Sequence, residues 1–226
     1  MKVVFPHVPK CAGSSIQKQL EARGDVYLDY FNHPTWNNEA DTAAGQIEQE
    51  KIRRRLVAVP AWIVFGHFAA CAYDDLLYDR KVILLRDPLE RAVSQFHFVQ
   101  QLLPDNEVTR RRHKEVAAIK DGRMAIEEFA QLPHIRFFYS DYYLKNLAVD
   151  ERLMILSVEN LEVSFEAIST HCGLRLDRSI WVNESRHNRD FGHLSCYFSR
   201  DTDLYKELLR VAGERWLRQP DPTHAS

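Results

Sequence analysis

Residues 81–96 read KVILLRDPLERAVSQF, and this stretch contains the strongest signal for the fold. Lys81–Leu85 is an apolar run typical of a buried strand, and Arg86-Asp87-Pro88 ends it. Asp87 can cap a following helix, the proline suits the first helical position, and Glu90 stands at the third, as in a capping box. A buried strand that leads directly into a helix is the repeating unit of an α/β domain.

The same alternation of apolar runs and helical patterns extends in both directions from this stretch. It predicts an α/β fold with a central, mostly parallel sheet flanked by helices, in a single domain over residues 1–226. Residues 104–146 are predicted to be a helical insertion, Asn32–Gly45 a surface loop and Leu176–Arg200 irregular. Further strands are predicted over Lys2–Val8, Asp25–Phe31, Ala61–Phe65 and Arg152–Val158, and the last helix over Asp201–Leu217.

Composition and charge exclude several classes of protein. The 226 residues carry a net charge of −2, which argues against a nucleic-acid-binding domain, since such domains are usually basic. The four cysteines have no zinc-ligand spacing and are predicted to be free thiols in a reducing compartment. The sequence has neither a signal-peptide pattern nor a long apolar run, so we expect a cytoplasmic protein without a membrane span.

The segment Pro9–Ser15, PKCAGSS, lies between the first predicted strand and a helix. Its small residues let backbone N–H groups approach an anion, and the start of the helix adds partial positive charge. Lys10 adds a cation, while Ser14 and Ser15 add hydroxyl donors. The segment lacks the Gly-Lys-Ser/Thr order of a Walker A loop. It therefore predicts a phosphate cradle, with an ordinary strand-to-helix turn as the alternative.

A second anion site is predicted at the end of the strand Lys81–Leu85. Arg86 stands at its carboxyl end, where open α/β sheets bind ligands, and can grip a phosphate with two hydrogen bonds. Ser94 can reach the same anion if its helix face turns toward it, and Arg91 can assist. The alternative is that Arg86 pairs with Asp87 or Glu90. Two anion sites on neighbouring strands suggest one ligand with two separated phosphates, such as a 3′,5′-substituted adenosine.

These segments resemble those of a known family. Residues 5–15, FPHVPKCAGSS, are similar to the 5′-phosphosulfate loop of sulfotransferases that use PAPS (3′-phosphoadenosine 5′-phosphosulfate), and residues 85–96 to their 3′-phosphate segment. The most similar branch sulfates carbohydrates: it includes heparan sulfate and uronyl 2-O-sulfotransferases and soluble bacterial relatives. Gly66-His67 resembles that branch's catalytic histidine segment. The resemblance spans residues 3–208, but residues 104–146 match no segment of the family.

The resemblance implies a P-loop-NTPase-like three-layer fold and transfer of a sulfuryl group from PAPS to a hydroxyl acceptor, with a saccharide favoured. PAP would be the desulfated product, and no metal would be required. Arg86 and Ser94 would bind the 3′-phosphate, and Arg186 would belong to a late loop that closes over the nucleotide. The residues implied to bind the 5′-phosphosulfate are Lys10, Cys11, Ala12, Gly13, Ser14 and Ser15.

His67 is predicted to be the general base, because an imidazole of ordinary pKa near 6.5 can accept the acceptor's proton. Lys10 would stabilise the leaving oxygen. A structural histidine bonded to a nearby carbonyl is the alternative for His67, and His7 is the rival base. Two other functions remain open: a phosphoryl-transfer enzyme on the same fold, and a non-catalytic PAP-binding module.

Overall fold

The computed structural model describes residues 1–21, 23–30, 39–112, 114–177 and 190–217, and a five-stranded parallel sheet lies at their centre. Across the sheet the strand order is β2-β3-β1-β4-β5, and every neighbouring pair is parallel. The mostly apolar runs of the three inner strands are buried on both faces, as parallel sheets require. The strands are β1 (Lys2–Pro6), β2 (Val26–Asp29), β3 (Trp62–Gly66), β4 (Arg80–Leu85) and β5 (Leu153–Ser157).

Helices cover both faces of the sheet. They are α1 (Gly13–Leu20), α2 (Glu39–Val57), α3 (Pro88–His97), α4 (Glu107–Arg112), α5 (Lys114–Lys120), α6 (Ile126–Ala130), α7 (Pro133–Arg136), α8 (Leu161–Cys172), α9 (Ser199–Leu208) and α10 (Glu214–Leu217). Three π-helical turns and two 3₁₀ turns join some of these elements: Phe98–Leu102, Phe138–Tyr143, Leu209–Gly213, Val158–Asn160 and Gly192–Phe198.

Alternate residues of β1 separate two hydrophobic cores. Val3 and Phe5 face the core that contains Ile16 of α1, whereas Val4 faces the core that contains Leu56 of α2. Side chains alternate between the two faces of a strand, so α1 and α2 cover opposite faces of the sheet. The expected three-layer α/β fold with a central parallel sheet is confirmed.

The segment from α4 to α7 builds a third core with α3. Phe96 of α3 packs against Phe129 of α6 in this cluster, with the ring centroids 5.5 Å apart. Leu194 and Phe198, from the 3₁₀ turn before α9, belong to the same core. The residues predicted as a helical insertion are therefore helical, and they pack beside the helix that follows β4.

The connections place a topological switch point between β1 and β4. From β1 the chain passes through α1 to β2, on the β3 side of the sheet, whereas from β4 it passes to β5 at the opposite edge. In open α/β sheets, ligands bind at such a point, outside the carboxyl ends of the strands. The residues after Pro6 and after Leu85 therefore line the expected binding crevice.

Two segments predicted to be irregular contain regular structure. Helix α2 begins at Glu39, inside the predicted loop Asn32–Gly45, because this stretch is rich in alanine, the best helix former. Within Leu176–Arg200, a 3₁₀ turn covers Gly192–Phe198 and α9 begins at Ser199, since Leu194 and Phe198 are drawn into the third core. No helix in the described part of the chain is long and apolar enough to cross a membrane.

Candidate functional site

The loop Pro9–Ser15, called the anion loop below, has a backbone shaped by left-handed residues. Lys10 has φ 69° and Ala12 has φ 59°, and Asn146 is the other non-glycine residue of the described chain with a positive φ. A left-handed conformation costs a non-glycine residue roughly 1–2 kcal/mol. Such strain concentrates at ligand sites, where the surrounding fold holds it in place.

This conformation leaves amide donors at the start of α1. Within the described residues, no backbone or side-chain acceptor takes a hydrogen bond from the N–H groups of Ala12, Gly13 or Ser14, whereas Ser15 N donates to Ala12 O at 3.1 Å. Successive N–H groups in a turn of this kind form an anion-binding nest. The side chain of Ser14 is exposed, whereas those of Cys11 and Ser15 are buried.

Gly13 is required by the close approach of His7. A Cβ atom at position 13 would lie 1.5 Å from the Nε2 atom of His7. The His7 ring therefore rests directly on the backbone of the anion loop, where any other residue would displace it.

Lys10 brings a cation with no acidic partner to this loop. In the residues that the structure describes, no carboxylate oxygen lies within 4 Å of its Nζ atom, which stands 4.2 Å from the centroid of the Phe98 ring. Burial, together with the nearby charge of Arg86, lowers the pKa of Lys10 to about 8. Because the positive charges of Lys10 and Arg86 repel each other, both would be stabilised by an anion bound beside them.

Arg86 directly follows β4, as expected, and its backbone is fixed by Tyr139. The Tyr139 hydroxyl donates to Arg86 O at 2.6 Å and lies 3.2 Å from Arg86 N. The guanidinium is 3.5 Å from a carboxylate oxygen of Glu90, whose side chain is 55% exposed. The alternative pairing is therefore present, but an exposed ion pair of this length is weak and a phosphate can replace it.

Asp87 organises the start of α3, as its position predicts. Its carboxylate accepts hydrogen bonds from the amides of Leu89 and Glu90, at 3.0 and 3.2 Å. Its own amide donates to Glu159 at 2.8 Å, which ties the end of β4 to the segment after β5. Burial raises the pKa of Glu159, but hydrogen bonds from Ser157, Asp87 and Tyr205 outweigh this and hold the pKa below its usual value.

Ser94 and Arg91, the two other residues predicted at the second anion site, are buried more deeply than Arg86. Ser94 is buried in α3, with 2% of its surface exposed, and its contact with a phosphate stays a prediction. Arg91 is 1% exposed, and its guanidinium stacks on Phe138 at 3.6 Å. The side chain of Arg91 is buried in the core, so the assistance expected of Arg91 stays a prediction.

His67 follows β3 on the same side of the sheet. Its Nδ1 atom is 2.9 Å from the His7 carbonyl oxygen, which only accepts hydrogen bonds, so Nδ1 carries the proton. The lone pair then belongs to Nε2, the atom that a general base would use. The hydrogen bond to a carbonyl that the structural alternative predicted is therefore present. It is compatible with a catalytic role for Nε2.

The surroundings of His67 keep its ring neutral. It stacks on His7 with ring centroids 4.3 Å apart, and the Tyr30 ring approaches edge-on at 5.0 Å. Burial lowers the pKa of His67 to about 4, and the hydrogen bond to the His7 carbonyl opposes this only in part. The pKa of His67 therefore lies below the ordinary imidazole value near 6.5. Gly66 is needed here, because a Cβ would lie 1.7 Å from the Asp29 carbonyl oxygen.

Other sequence-predicted features do not join this site or cannot be placed. Arg186 lies outside the described residues. The sequence also contains a basic cluster at residues 110–114, for which attraction of an anionic polysaccharide and a solvated helix face are the two interpretations, and its Arg110 is held by Asp105 at 2.5 Å and by Asp121 at 3.2 Å. Sequence reasoning assigns Tyr139 no role at Arg86, although its phenol braces that residue. The requirement of a buried tyrosine hydroxyl for a partner was the available signal. No three metal-ligating side chains meet among the described residues.

Structural comparison finds likenesses to solved sulfotransferases. One is a sulfotransferase from Alicyclobacillus acidocaldarius, with 16% identity and a TM-score of 0.45 over 95% of this chain and 98% of that chain. Another is mouse sulfotransferase SULT7A1 complexed with PAP, with 14% identity and a TM-score of 0.40 over 97% of this chain and 86% of that chain. No family model and no curated protein matches the sequence. Likenesses at these identities and TM-scores do not establish a function for this chain.

Proposed function

We propose that the chain is a sulfotransferase that moves a sulfuryl group from PAPS to a hydroxyl on its acceptor. One observation carries the proposal: Lys10 and Arg86 act on each other electrostatically where β1 and β4 end, beside an anion loop with available amides. A nucleotide with separated 5′ and 3′ phosphates would satisfy both cations. That this nucleotide contains adenosine and carries a sulfuryl group is inferred from the sequence resemblance.

Each half of the donor has its own set of residues in this proposal. The amides of residues 12–14, the Ser14 and Ser15 hydroxyls and Lys10 hold the 5′-phosphosulfate, as a helix N-terminus with a nearby cation favours. Arg86, braced by Tyr139, holds the 3′-phosphate, with Ser94 beside it. Arg186 is assigned to the closing loop on the resemblance alone.

The transfer step needs a base and a stabilised leaving group, in line across the sulfur. The acceptor oxygen bonds to sulfur while the bond from sulfur to the bridging oxygen breaks, and that electron pair leaves on the 5′-phosphate of PAP. Lys10 stabilises the departing oxygen. The hydroxyl proton passes to Nε2 of His67, whose tautomer is fixed by the His7 carbonyl. The step requires no metal.

The acceptor is proposed to be a saccharide, because the motifs are most similar to those of the carbohydrate branch. Hydroxyl groups on sugars are poor nucleophiles until their proton is accepted, which is the task given to His67. A saccharide panel that also contains lipid and small-metabolite alcohols tests this part separately from the donor.

Calorimetry with PAP, with and without EDTA, tests the donor assignment, and ATP with Mg²⁺ is the competing ligand. We expect PAP to bind equally well in both conditions and more tightly than ATP. A strict Mg²⁺ requirement, or preference for ATP, would favour the phosphoryl-transfer alternative. Transfer of radiolabelled sulfate from PAPS to the acceptor panel then separates an enzyme from a PAP-binding module, which would show PAP affinity with no transfer.

A further inference from the structure

Arg91 is a buried cation that the proposed chemistry does not use. Its side chain is 1% exposed and belongs to α3, the helix that begins two residues after Arg86. One terminal nitrogen, Nη2, donates to Ile135 O at the long distance of 3.5 Å, and the other terminal nitrogen, Nη1, has no hydrogen-bond partner. Across the described chain, no carboxylate oxygen lies within 4 Å of this group.

Such an arrangement is expensive, since an unpaired buried charge destabilises a folded protein by several kcal/mol. The face of the Phe138 ring, 3.6 Å from the guanidinium carbon, offsets part of this cost. Asp201 is near enough to act on Arg91 electrostatically, but its carboxylate is occupied by the amides of Tyr139 and Ser140, at 2.7 and 3.1 Å.

The positive charge of Arg91 acts electrostatically on the anion loop. Burial raises the pKa of the Cys11 thiol to about 11, and among the charged groups that oppose this, Arg91 has a larger effect than Arg86. The Tyr139 hydroxyl links the end of β4 to this loop, because it donates to Arg86 O and lies 3.8 Å from the Cys11 sulfur. Arg91 therefore acts on the loop as a fully buried charge, whereas Lys10 and Arg86 lie where β1 and β4 end.

We propose that Arg91 is an electrostatic positioning residue: its buried, unpaired charge adds to the field that draws the donor's phosphosulfate onto the anion loop without touching it. The inference rests on the proposed function for the identity of the donor, and on the geometry of Arg91 for the effect. The bound anion adds negative charge to the little that Asp201, already occupied by two amides, provides for Arg91.

Four single variants separate charge from shape. Arg91→Met and Arg91→Gln remove the charge, Arg91→Lys keeps it, and Lys81→Met removes another buried cation that pairs with Asp74 near the start of β4. Calorimetry with PAP and with inorganic pyrophosphate gives the affinities, and thermal unfolding without ligand gives the stabilities.

We expect Arg91→Met and Arg91→Gln to weaken the binding of both ligands about tenfold, the order of magnitude of a non-contact interaction between unit charges at an effective dielectric constant of about 20. Their unfolding temperatures should equal or exceed that of the wild type. Arg91→Lys should keep most of the affinity. Lys81→Met should have the opposite effects. It should keep the affinity for both ligands, and its unfolding temperature should fall because Asp74 loses its partner.

Wild-type affinity in both neutral variants would overturn the inference and leave the sulfotransferase proposal standing. An equal loss of affinity in Arg91→Lys would also overturn it, since shape rather than charge would then matter. If the wild type binds pyrophosphate but not PAP, the proposed function fails, and the inference is still decided by the variants. If it binds neither ligand, both fail.

Discussion

Lys10 makes donor binding depend on pH in a range where the phosphates of PAP do not titrate. Its pKa is lowered to about 8 by burial and by Arg86, so the side chain is charged below pH 8 and neutral above it. The second ionisation of a phosphate is complete above about pH 7. We predict that PAP affinity falls between pH 7 and pH 9.5, and that binding above pH 8 takes up a proton.

Calorimetry in two buffers of different ionisation enthalpy measures both effects. The matched variant is Lys10→Arg, which keeps its charge throughout this range and should bind PAP with constant affinity. A wild-type affinity that does not change with pH would remove Lys10 from the contact with the phosphate.

His67 sets a second pH dependence, on the acid side. Its pKa is lowered to about 4, so the neutral base is present at all pH values well above this. We predict a transfer rate that is flat from about pH 6 to pH 7.5 and decreases only as the pH approaches 4. His67→Ala should lose a factor of about 10²–10⁴ in rate and keep its affinity for PAP.

The control is His171→Ala. This histidine packs edge-on against Trp216, whose indole donates to Leu153 at the amino end of β5, on the side of the sheet away from the proposed site. It should keep the wild-type rate. A His67→Ala enzyme with undiminished turnover would make His7 the next candidate.

At the scale of the element, the shape of the anion loop requires that residue 13 has no Cβ atom. In Gly13→Ala the new Cβ would meet the His7 ring at 1.5 Å, so either the ring or the loop has to move. We predict that this variant loses PAP binding and that its free energy of unfolding falls by about 1–3 kcal/mol, as overpacking usually costs. Chemical denaturation and PAP titration measure the two losses.

Gly24→Ala, between α1 and β2, is the matched control, because a Cβ added at this position would meet no other atom within 4 Å. It should bind PAP normally and change the stability by less than about 1 kcal/mol. If Gly13→Ala behaves in the same way, the contact between His7 and the loop has no part in shaping the site.

The junction of β4 and α3 could be predicted from sequence because its signals are local. Asp87, Pro88 and Glu90 stand within four residues, and the structure places the cap, the first turn and Arg86 accordingly. The burial of Arg91 could not be predicted, because it depends on residues 135–143, which meet α3 only after folding. The lowered pKa of His67 likewise depends on burial, to which the rings of His7 and Tyr30, just after β1 and β2, contribute.

For the whole molecule, donor binding and stability are linked. A ligand at a hundredfold excess over its Kd stabilises the fold by about 2.7 kcal/mol. For a chain of this size we predict that PAP at that excess raises the unfolding temperature by about 5–10 °C. Arg86→Ala, which loses a charged hydrogen bond worth roughly 1.5–3 kcal/mol, should lose most of this shift at the same PAP concentration. Differential scanning fluorimetry compares the two, and an unchanged shift in the variant would contradict the 3′-phosphate assignment.

The position of β1 in the sheet also has a consequence for synthesis on the ribosome. Of the five strands of this sheet, the first to be translated occupies the middle position, where Val3 aligns with Ile63 on one side and Arg80 on the other. Neither neighbour exists when β1 emerges, and such distant pairings form slowly. The apolar segment Val3–Phe5 therefore stays exposed in the nascent chain until β4 has been translated, which makes it a natural binding site for a chaperone during that interval.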